Sequence, residues 1–260
     1  MTVVLKDVRV FGRGGVEIIK GVSAEISGKA LLVGPNGSGK TTLLRAVCGV
    51  VNYEGSITID GREVRGLRNY LDLSCNLPET MTLGIRLMDK LRILEELKGV
   101  DVKLAIEMLR EVDIREGDLS KRFHNLSAGQ RVLFSTIMAL ASKPKYIFID
   151  EPFENVDYAK RRIVIKWLRE FGTAGLVVTH ELDQLEQFGG YPLYLILSGK
   201  LFGPVGVEDF LDSSVVVGED ESAILTIDIE GKRYSLVKGV GAKKIRDLGE
   251  IDKLYLHVTE

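Results

Sequence analysis

The stretch that decides the fold is Gly34-Pro35-Asn36-Gly37-Ser38-Gly39-Lys40-Thr41. It lies between an apolar run at 30–33, which predicts a short buried strand, and residues 42–48, whose apolar spacing predicts a helix. A glycine-rich turn between a strand and a helix presents successive backbone N–H groups to one point, with the positive end of the helix dipole behind them. This pattern predicts a phosphate-binding loop, and the alternative is a glycine-rich surface turn.

Two side chains at the end of this stretch suit a nucleoside triphosphate. Lys40 can reach the terminal phosphates, and the Thr41 hydroxyl can ligate the Mg²⁺ that bridges them. The glycines are needed because side chains would keep the backbone away from a phosphate and would penalise positive φ. We therefore predict that the chain binds a nucleoside triphosphate. The predicted contacts are Gly34, Pro35, Asn36, Gly37, Ser38, Gly39, Lys40, Thr41 and Thr42.

The bulk properties of the chain exclude several classes of protein. Because 35 basic residues stand against 37 acidic residues in a chain of 260, the charge gives no reason to expect nucleic acid as a partner. No apolar run reaches the roughly 18 residues that a membrane helix needs. Residues 1–7 lack the features of a signal peptide, and Cys48 and Cys75 have no metal or redox spacing. The sequence predicts a cytoplasmic protein of one or two domains.

Strand patterns alternate with helix patterns along most of the chain. This alternation predicts an α/β fold on a parallel sheet with right-handed crossovers. The first thirty residues instead predict short antiparallel strands, which a hairpin at 53–61 joins. Leu87, Leu91, Leu94 and Leu97 predict one face of a helix. Further helices are predicted at about 102–112, 127–141 and 159–171, and buried strands at 146–149, 176–178 and 193–197.

The character of the chain changes after about Pro204. We predict a P-loop NTPase domain at 1–205, with an N-terminal antiparallel β-subdomain and a helical arm at about 79–125. A small β-rich appendage is predicted at 206–260, either as a packing cap on the core or as a regulatory or partner-binding element. Its predicted strands are 215–217, 224–229, 234–237 and 254–258, with a hairpin turn at 230–232.

A second candidate site is Ile147-Phe148-Ile149-Asp150-Glu151. An apolar strand that ends in two carboxylates places them at the carboxyl edge of a parallel sheet, where ligands bind in open α/β folds. Asp150 is positioned to hold Mg²⁺ through water, and Glu151 to orient or deprotonate the attacking water. The alternative is a helix-capping turn.

The third candidate, Leu126-Ser127-Ala128-Gly129-Gln130, opens a predicted helix about 20 residues before Asp150. Ser127 and the N–H groups of the helix start form a second anion site. Because one nucleotide needs one phosphate nest, the second nest is predicted to serve a different nucleotide. The alternative is an ordinary serine N-cap.

Together these motifs resemble those of the ATP-binding-cassette (ABC) ATPases, over roughly residues 1–205. Gly34–Thr41 looks like the Walker A loop of that family, and Ile147–Glu151 like Walker B with its catalytic glutamate. Leu126–Gln130 looks like the signature motif, with Ala128 where the family usually has glycine.

Three further positions are similar to those of the family. Asn155-Val156-Asp157 resembles the D-loop, and His180 matches the switch histidine that contacts the γ-phosphate. Phe11 falls where the family places an aromatic ring that stacks on adenine; the alternative is a core residue. The resemblance implies that Lys40, Glu151 and His180 are catalytic. It also implies further nucleotide contacts from Phe11, Ser127, Ala128, Gly129, Gln130 and Asp157.

One position departs from the family pattern. A glutamine normally precedes the helical arm, and the matching stretch is Asn76-Leu77-Pro78-Glu79, so Glu79 is predicted to replace it. A carboxylate oxygen can ligate Mg²⁺ or its water, although it adds negative charge near the phosphates. The alternative is that Glu79 is a solvent-facing turn residue, with Asn76 or Cys75 beside the phosphates. The predicted metal ligands are therefore Thr41, Asp150 and Glu79.

The resemblance implies a head-to-tail dimer, formed with a second copy or a paralogous cassette, that encloses two ATP molecules and Mg²⁺. The leading hypothesis is the ATP-hydrolysing subunit of a membrane transporter, peripheral on the cytoplasmic face of the membrane and docked on a separate transmembrane subunit. Its cargo would be a metal or vitamin for import or a small molecule for export. The alternatives are a soluble ABC ATPase, as in iron–sulfur assembly, and a nucleotide-switched scaffold with negligible turnover.

Overall fold

The structure is a computed structural model that describes residues 1–68, 70–81, 85–229, 231–239, 244–249, 251 and 253. The strands in this part of the chain are β1 (Thr2–Phe11), β2 (Glu17–Ser27), β3 (Lys29–Val33), β4 (Glu54–Ile59), β5 (Arg62–Glu63), β6 (Leu73–Cys75), β7 (Tyr146–Asp150), β8 (Ala174–Thr179), β9 (Pro192–Leu197), β10 (Lys200–Gly206), β11 (Ser213–Val217), β12 (Ala223–Ile229) and β13 (Lys232–Lys238). The α-helices there are α1 (Lys40–Val47), α2 (Leu87–Lys98), α3 (Val102–Glu111), α4 (Ala128–Ala141), α5 (Tyr158–Glu170), α6 (Leu182–Leu185) and α7 (Val207–Leu211).

These elements form two compact units. The first, which we call the phosphate-loop unit after the predicted loop it contains, comprises residues 2–64 and 178–260. The second, the helical unit, comprises Met1 and residues 65–177. The boundary predicted at 205/206 and the helical arm predicted at 79–125 remain predictions.

The N-terminal sheet of the phosphate-loop unit has the strand order β2-β1-β4-β5, with antiparallel neighbours. The antiparallel β-subdomain is confirmed, but the prediction of several short strands is wrong. β1 and β2 are each continuous, because bulges between Leu5 and Val8 and between Val8 and Val10 absorb the interruptions in the apolar pattern. Asp7 takes the left-handed conformation at the first bulge, with φ of 45°.

The buried strand predicted before the phosphate loop is confirmed. β3 pairs in parallel with β9, with Leu31 opposite Leu193 and Val33 opposite Leu195. β10 follows β9 as an antiparallel hairpin. Because β3 is buried from Ala30 onward, its carboxyl end directs the chain into the loop from a fixed position.

In the helical unit, β6 and β7 pair in parallel, with Ser74 opposite Ile147. The parallel α/β class is thus confirmed. In α2, Leu87 and Leu91 are buried, whereas Leu97 is 67% exposed. Ten residues after Leu87 at 3.6 residues per turn, a side chain points about 80° away from the buried direction.

The C-terminal part of the phosphate-loop unit contains an antiparallel sheet with the order β11-β13-β12. The strands predicted from 215 to 237 are confirmed, and the strand predicted at 254–258 lies outside the described residues, as does Glu230 of the predicted turn. Ile227, Tyr234 and Leu236 are buried on one side of this sheet. In β13 the alternate residues Ser235 and Val237 are buried as well, so the middle of this strand is covered on both faces.

Candidate active site

The predicted phosphate loop joins the end of β3 to the start of α1. Lys40 is buried, with 6% of its surface exposed, and its Nζ donates hydrogen bonds to the carbonyl oxygens of Gly34 at 2.7 Å and Pro35 at 3.1 Å. The loop therefore bends back over the lysine, while Asn36 and Gly37 at its tip are exposed. An ammonium held within an exposed turn is arranged to contact an anion.

The backbone at the start of α1 adds further donors. The first intrahelical hydrogen bond runs from the N–H of Leu43 to the carbonyl oxygen of Gly39 at 2.9 Å. The N–H groups of Lys40, Thr41 and Thr42 precede it, at the positive end of the helix dipole. Ser38 Oγ is buried and finds no hydrogen-bond partner among the described residues. A phosphate oxygen at this place would satisfy that hydroxyl, so the loop fits a phosphate group.

Two glycines of the loop are required by close packing. A Cβ on Gly34 would lie 2.3 Å from the carbonyl oxygen of Ile196 in β9 and 2.8 Å from Ser38 Oγ. Gly39 has a φ of 108°, and a Cβ there would lie 2.8 Å from Ile19 Cδ1. The loop is therefore packed against β2 and β9 at distances that side chains do not permit.

We expect Gly34→Ala to destabilise the protein by about 2 kcal/mol or more, because the added methyl would meet the Ile196 carbonyl in a packed site. Thermal unfolding measures the loss. The control is Gly66→Ala, because Gly66 is exposed and has open space around its Cβ position. Equal melting temperatures for the two variants would contradict the packing argument.

In the helical unit, Asn76 fixes the position of Asp150. The N–H of Asp150 donates to Asn76 Oδ1 at 2.7 Å, and Asn76 Nδ2 donates to the carbonyl oxygen of Asp150 at 2.9 Å. Asn76 Nδ2 also lies 3.3 Å from Thr136 Oγ1 in α4. The buried side-chain amide of Asn76, directly after β6, thus makes the two hydrogen bonds that a backbone peptide group would make. It pairs with both the N–H and the carbonyl oxygen of Asp150, the last residue of β7.

Glu151, the predicted catalytic glutamate, has an unusual backbone. Its φ is 42°, in the left-handed region that residues other than glycine rarely adopt. Pro152 follows it, and a residue before proline is restricted further. Such strain costs free energy and is concentrated at functional sites. The chain turns sharply at Glu151, directly after the aligned Asp150.

The predicted signature motif forms a capping box at the start of α4. The N–H of Gln130 donates to Ser127 Oγ at 3.2 Å, and the N–H of Ser127 donates to Gln130 Oε1 at 3.1 Å. Ser127 and Ala128 are exposed, whereas Leu126 is buried and anchors the segment. The motif therefore presents an ordered helix start to the surface.

Within the helical unit the signature helix and the predicted D-loop are in direct contact. A Cβ on Gly129 would lie 2.1 Å from the carbonyl oxygen of Asn155, which takes a left-handed φ of 56°. Asp157 is exposed and lies 3.4 Å from Lys160. Gly129 is needed for this close approach, a reason that the sequence did not reveal.

The remaining predicted residues of the phosphate-loop unit are His180 and Phe11. His180 is half-buried directly after β8, where the N–H of Glu181 donates to Thr179 Oγ1 at 3.1 Å. Phe11 ends β1 and is 46% exposed, which excludes the core alternative. Both roles, stacking on adenine and contact with the γ-phosphate, remain predictions.

Glu79 is exposed, as expected for a solvent-facing turn residue. Glu79 lies on an exposed 3-10 turn, Pro78–Met81, three residues beyond Asn76. Asn76, directly after β6, is the residue of this stretch that touches the end of β7. The assignment of Glu79 as a Mg²⁺ ligand therefore remains a prediction that its exposed position does not support.

We expect Asn76→Ala to lower kcat for ATP hydrolysis at least about tenfold, because the backbone of Asp150 loses both of its side-chain hydrogen bonds. Glu79→Ala, measured in the same ATPase assay, should stay within about twofold of wild type if Glu79 is a solvent-facing turn residue. A large loss for Glu79→Ala with Asn76→Ala unaffected would restore Glu79 as the ligand.

Two features are absent from the described part of the chain. None of its helices has the length and apolar character required to cross a membrane. It also contains no group of three or more His, Cys, Asp and Glu side chains suited to a metal ion. The hydroxyl of Thr41 and the carboxylate of Asp150 are hard oxygen donors of the kind that suits Mg²⁺.

The comparison with protein families decides the identity of this site. The model of the ABC transporter family matches residues 20–154, which include the phosphate loop, the signature motif and β7 with its two carboxylates. The chain belongs to the ABC transporter family. It is the ATPase subunit of an ABC transporter, and it binds and hydrolyses ATP.

Two curated relatives of this ABC ATPase illustrate the likeness. The chain is 28% identical over 226 residues to the hemin import ATP-binding protein HmuV of Mesorhizobium japonicum. The matched region covers 78% of this chain and 85% of that protein. It is 31% identical over 204 residues to the manganese transport system ATP-binding protein MntB of Bacillus subtilis, covering 72% and 80%.

Solved structures agree with this fold. A protein described as the cobalt transport ATP-binding protein cbiO-2 is 43% identical, with a TM-score of 0.92 over 97% of this chain and 98% of that chain. The ATP-binding cassette MJ0796, a post-hydrolysis dimer bound to ADP and Pi, is 21% identical, with a TM-score of 0.67 over 79% and 98%. At that identity the second likeness shows the fold alone.

Proposed function

We propose that this ABC ATPase works as a head-to-tail dimer, with a second copy or a paralogous cassette, that encloses two ATP molecules. The observation that carries the proposal is the exposed, capped start of α4 at Ser127. It is a second anion-binding helix start in addition to the phosphate loop, and one triphosphate needs only one. The cassette MJ0796, which has a similar fold, is itself described as a dimer.

In the proposed complex, each ATP binds the phosphate loop of one subunit and the signature motif of the other. Lys40 and the N–H groups of α1 bind the terminal phosphates, and Phe11 stacks on the adenine. The partner copy contributes Ser127, the N–H groups of its α4 and the D-loop aspartate, Asp157. The interface is isologous, because each subunit contributes both surfaces.

The hydrolytic step uses the strand-end carboxylates. Thr41, and Asp150 through water, would hold Mg²⁺, which would supply positive charge to the phosphates. Glu151 accepts a proton from the attacking water, and His180 donates a hydrogen bond to the γ-phosphate. Asn76 keeps the end of β7 in place for this step. Conversion of the triphosphate to ADP and phosphate removes contacts across the interface, so the dimer opens.

We propose that the dimer drives import of a metal ion or metal complex through a separate transmembrane subunit, at the cytoplasmic face of the membrane. The supporting observations are the names of similar proteins, among which the 43% identical structure is described for cobalt transport. Cargo selection itself belongs to the membrane subunit.

The experiment is reconstitution with the co-purifying membrane subunit in liposomes loaded with ATP, followed by uptake of Co²⁺ or Mn²⁺. ATP-dependent uptake of either ion, lost in a variant without hydrolysis, is the expected result. ATPase activity in these liposomes without uptake of either ion would contradict the proposed metal cargo.

A further inference from the structure

Lys90 in α2 is a lysine buried in the protein interior, where charged side chains are rare. Its side chain is 3% exposed, and no carboxylate of the described residues pairs with it. Burial lowers the pKa of this lysine, and no nearby charge opposes the shift. Since an unpaired buried ammonium is costly, the groups that it does contact have to compensate.

Lys90 has two contacts on different segments of the helical unit. Its Nζ donates a hydrogen bond to the carbonyl oxygen of Met81 at 2.9 Å, and it lies 5.6 Å from the centre of the Phe123 ring. Met81 is the last residue of the turn Pro78–Met81, and Phe123 begins the turn Phe123–Asn125. A cation over an aromatic face is attracted to it, most strongly where water is excluded.

Each of these two turns is linked to one group of predicted site residues, either at the end of β7 or at the start of α4. The Pro78–Met81 turn continues from Asn76, which holds the backbone of Asp150, and the N–H of Thr80 donates to Leu77 at 3.0 Å. On the other side, Phe123 packs on Phe134 of α4 with ring centres 6.0 Å apart. Ser127 caps that same helix.

We propose that Lys90 is a positioning residue that fixes the signature helix relative to the strand end that carries Asp150 and Glu151. The buried ammonium joins Met81 to Phe123, so that the segments following Asn76 and preceding Ser127 share one anchor. Neither contact involves the phosphate loop. Lys90 therefore acts on turnover through the geometry of the helical unit, and its effect on the dimer rests on the function proposed above.

The test compares Lys90→Met, which keeps the apolar stem and removes the charge, with Lys98→Met. Lys98 is a suitable control because it lies in the same helix and also donates to carbonyl oxygens, those of Tyr70 and Leu73. We expect Lys90→Met to lower kcat about tenfold with KM for ATP and ADP affinity within about twofold, and Lys98→Met to resemble wild type. Lys90→Arg, which keeps the charge, should restore part of the loss.

A local readout separates positioning from general destabilisation. Amide hydrogen exchange in residues 123–130 should accelerate in Lys90→Met, with exchange in β3 and α1 unchanged. In a double-mutant cycle, Phe123→Leu should lower kcat similarly, and the two changes together should cost no more than either alone. Additive losses, or kcat within twofold of wild type in Lys90→Met, would overturn the proposal.

If Lys90→Met does not fold, Phe123→Leu decides alone, since it leaves the lysine and its hydrogen bond in place. Failure of both variants to fold would also overturn the proposal, because the contact would then support the fold only. ATP-dependent dimerisation is measured separately with Glu151→Gln. A monomer in that experiment would refute the proposed dimer. The kcat values of Lys90→Met and Lys98→Met would still test the positioning role of Lys90.

Discussion

Lys40→Ala is expected to lower kcat for ATP hydrolysis by a factor of at least about 10² and to weaken ATP binding. Lys40 lies buried in the loop with its Nζ already held at the carbonyl oxygens of Gly34 and Pro35. Its loss would remove the positive charge at the place where the terminal phosphates are predicted to bind, together with charge-assisted hydrogen bonds. A phosphate-release assay and a titration with a fluorescent ATP analogue measure the two effects.

Two companion variants make this result interpretable. Lys40→Met keeps the apolar stem, so it separates the lost charge from a collapse of the loop around an empty space. Lys6→Ala removes an exposed lysine of the same unit and should behave like wild type. Wild-type ATPase activity in Lys40→Met would contradict the assignment of this loop to the phosphates.

Much of the fold could be predicted because its signals are local. The loop at 34–41, the serine cap of α4 with glutamine three residues later, and the apolar run that forms β7 each depend on neighbouring residues. The continuity of β1 could not be predicted, because a bulge is fixed by pairing with β2 and β4 across the sheet. The exposure of Leu97 could not be predicted, because it lies about 80° around the helix from Leu87 and burial at that edge depends on what packs there.

The site was less predictable where function depends on contacts between distant segments. Asn76 and Asp150 are 74 positions apart, and an asparagine after a strand carries no sign that it will bind a peptide group elsewhere. The close approach of Gly129 to Asn155 has the same character. Lys90 gave no signal either, because lysines in amphipathic helices normally face water. The sequence shows which side chains occupy these positions, but it does not show which distant residues they contact.

Glu151→Gln is expected to keep ATP affinity while lowering hydrolysis by about 10³, because the amide occupies the same volume but cannot accept a proton from water. The strained left-handed backbone at Glu151, with φ of 42°, fixes where this side chain starts, and glutamine keeps that geometry. Because the uncleaved triphosphate prevents the dimer from opening, gel filtration in Mg-ATP should show a dimer that is absent with Mg-ADP.

Glu154→Gln is the matched control, because Glu154 is exposed three residues further along the same turn. A variant that retains hydrolysis would remove Glu151 as the base. One that binds ATP without hydrolysing it, yet stays monomeric, would instead count against the head-to-tail dimer, since ATP would then lack the contacts that the exposed start of α4 is proposed to supply.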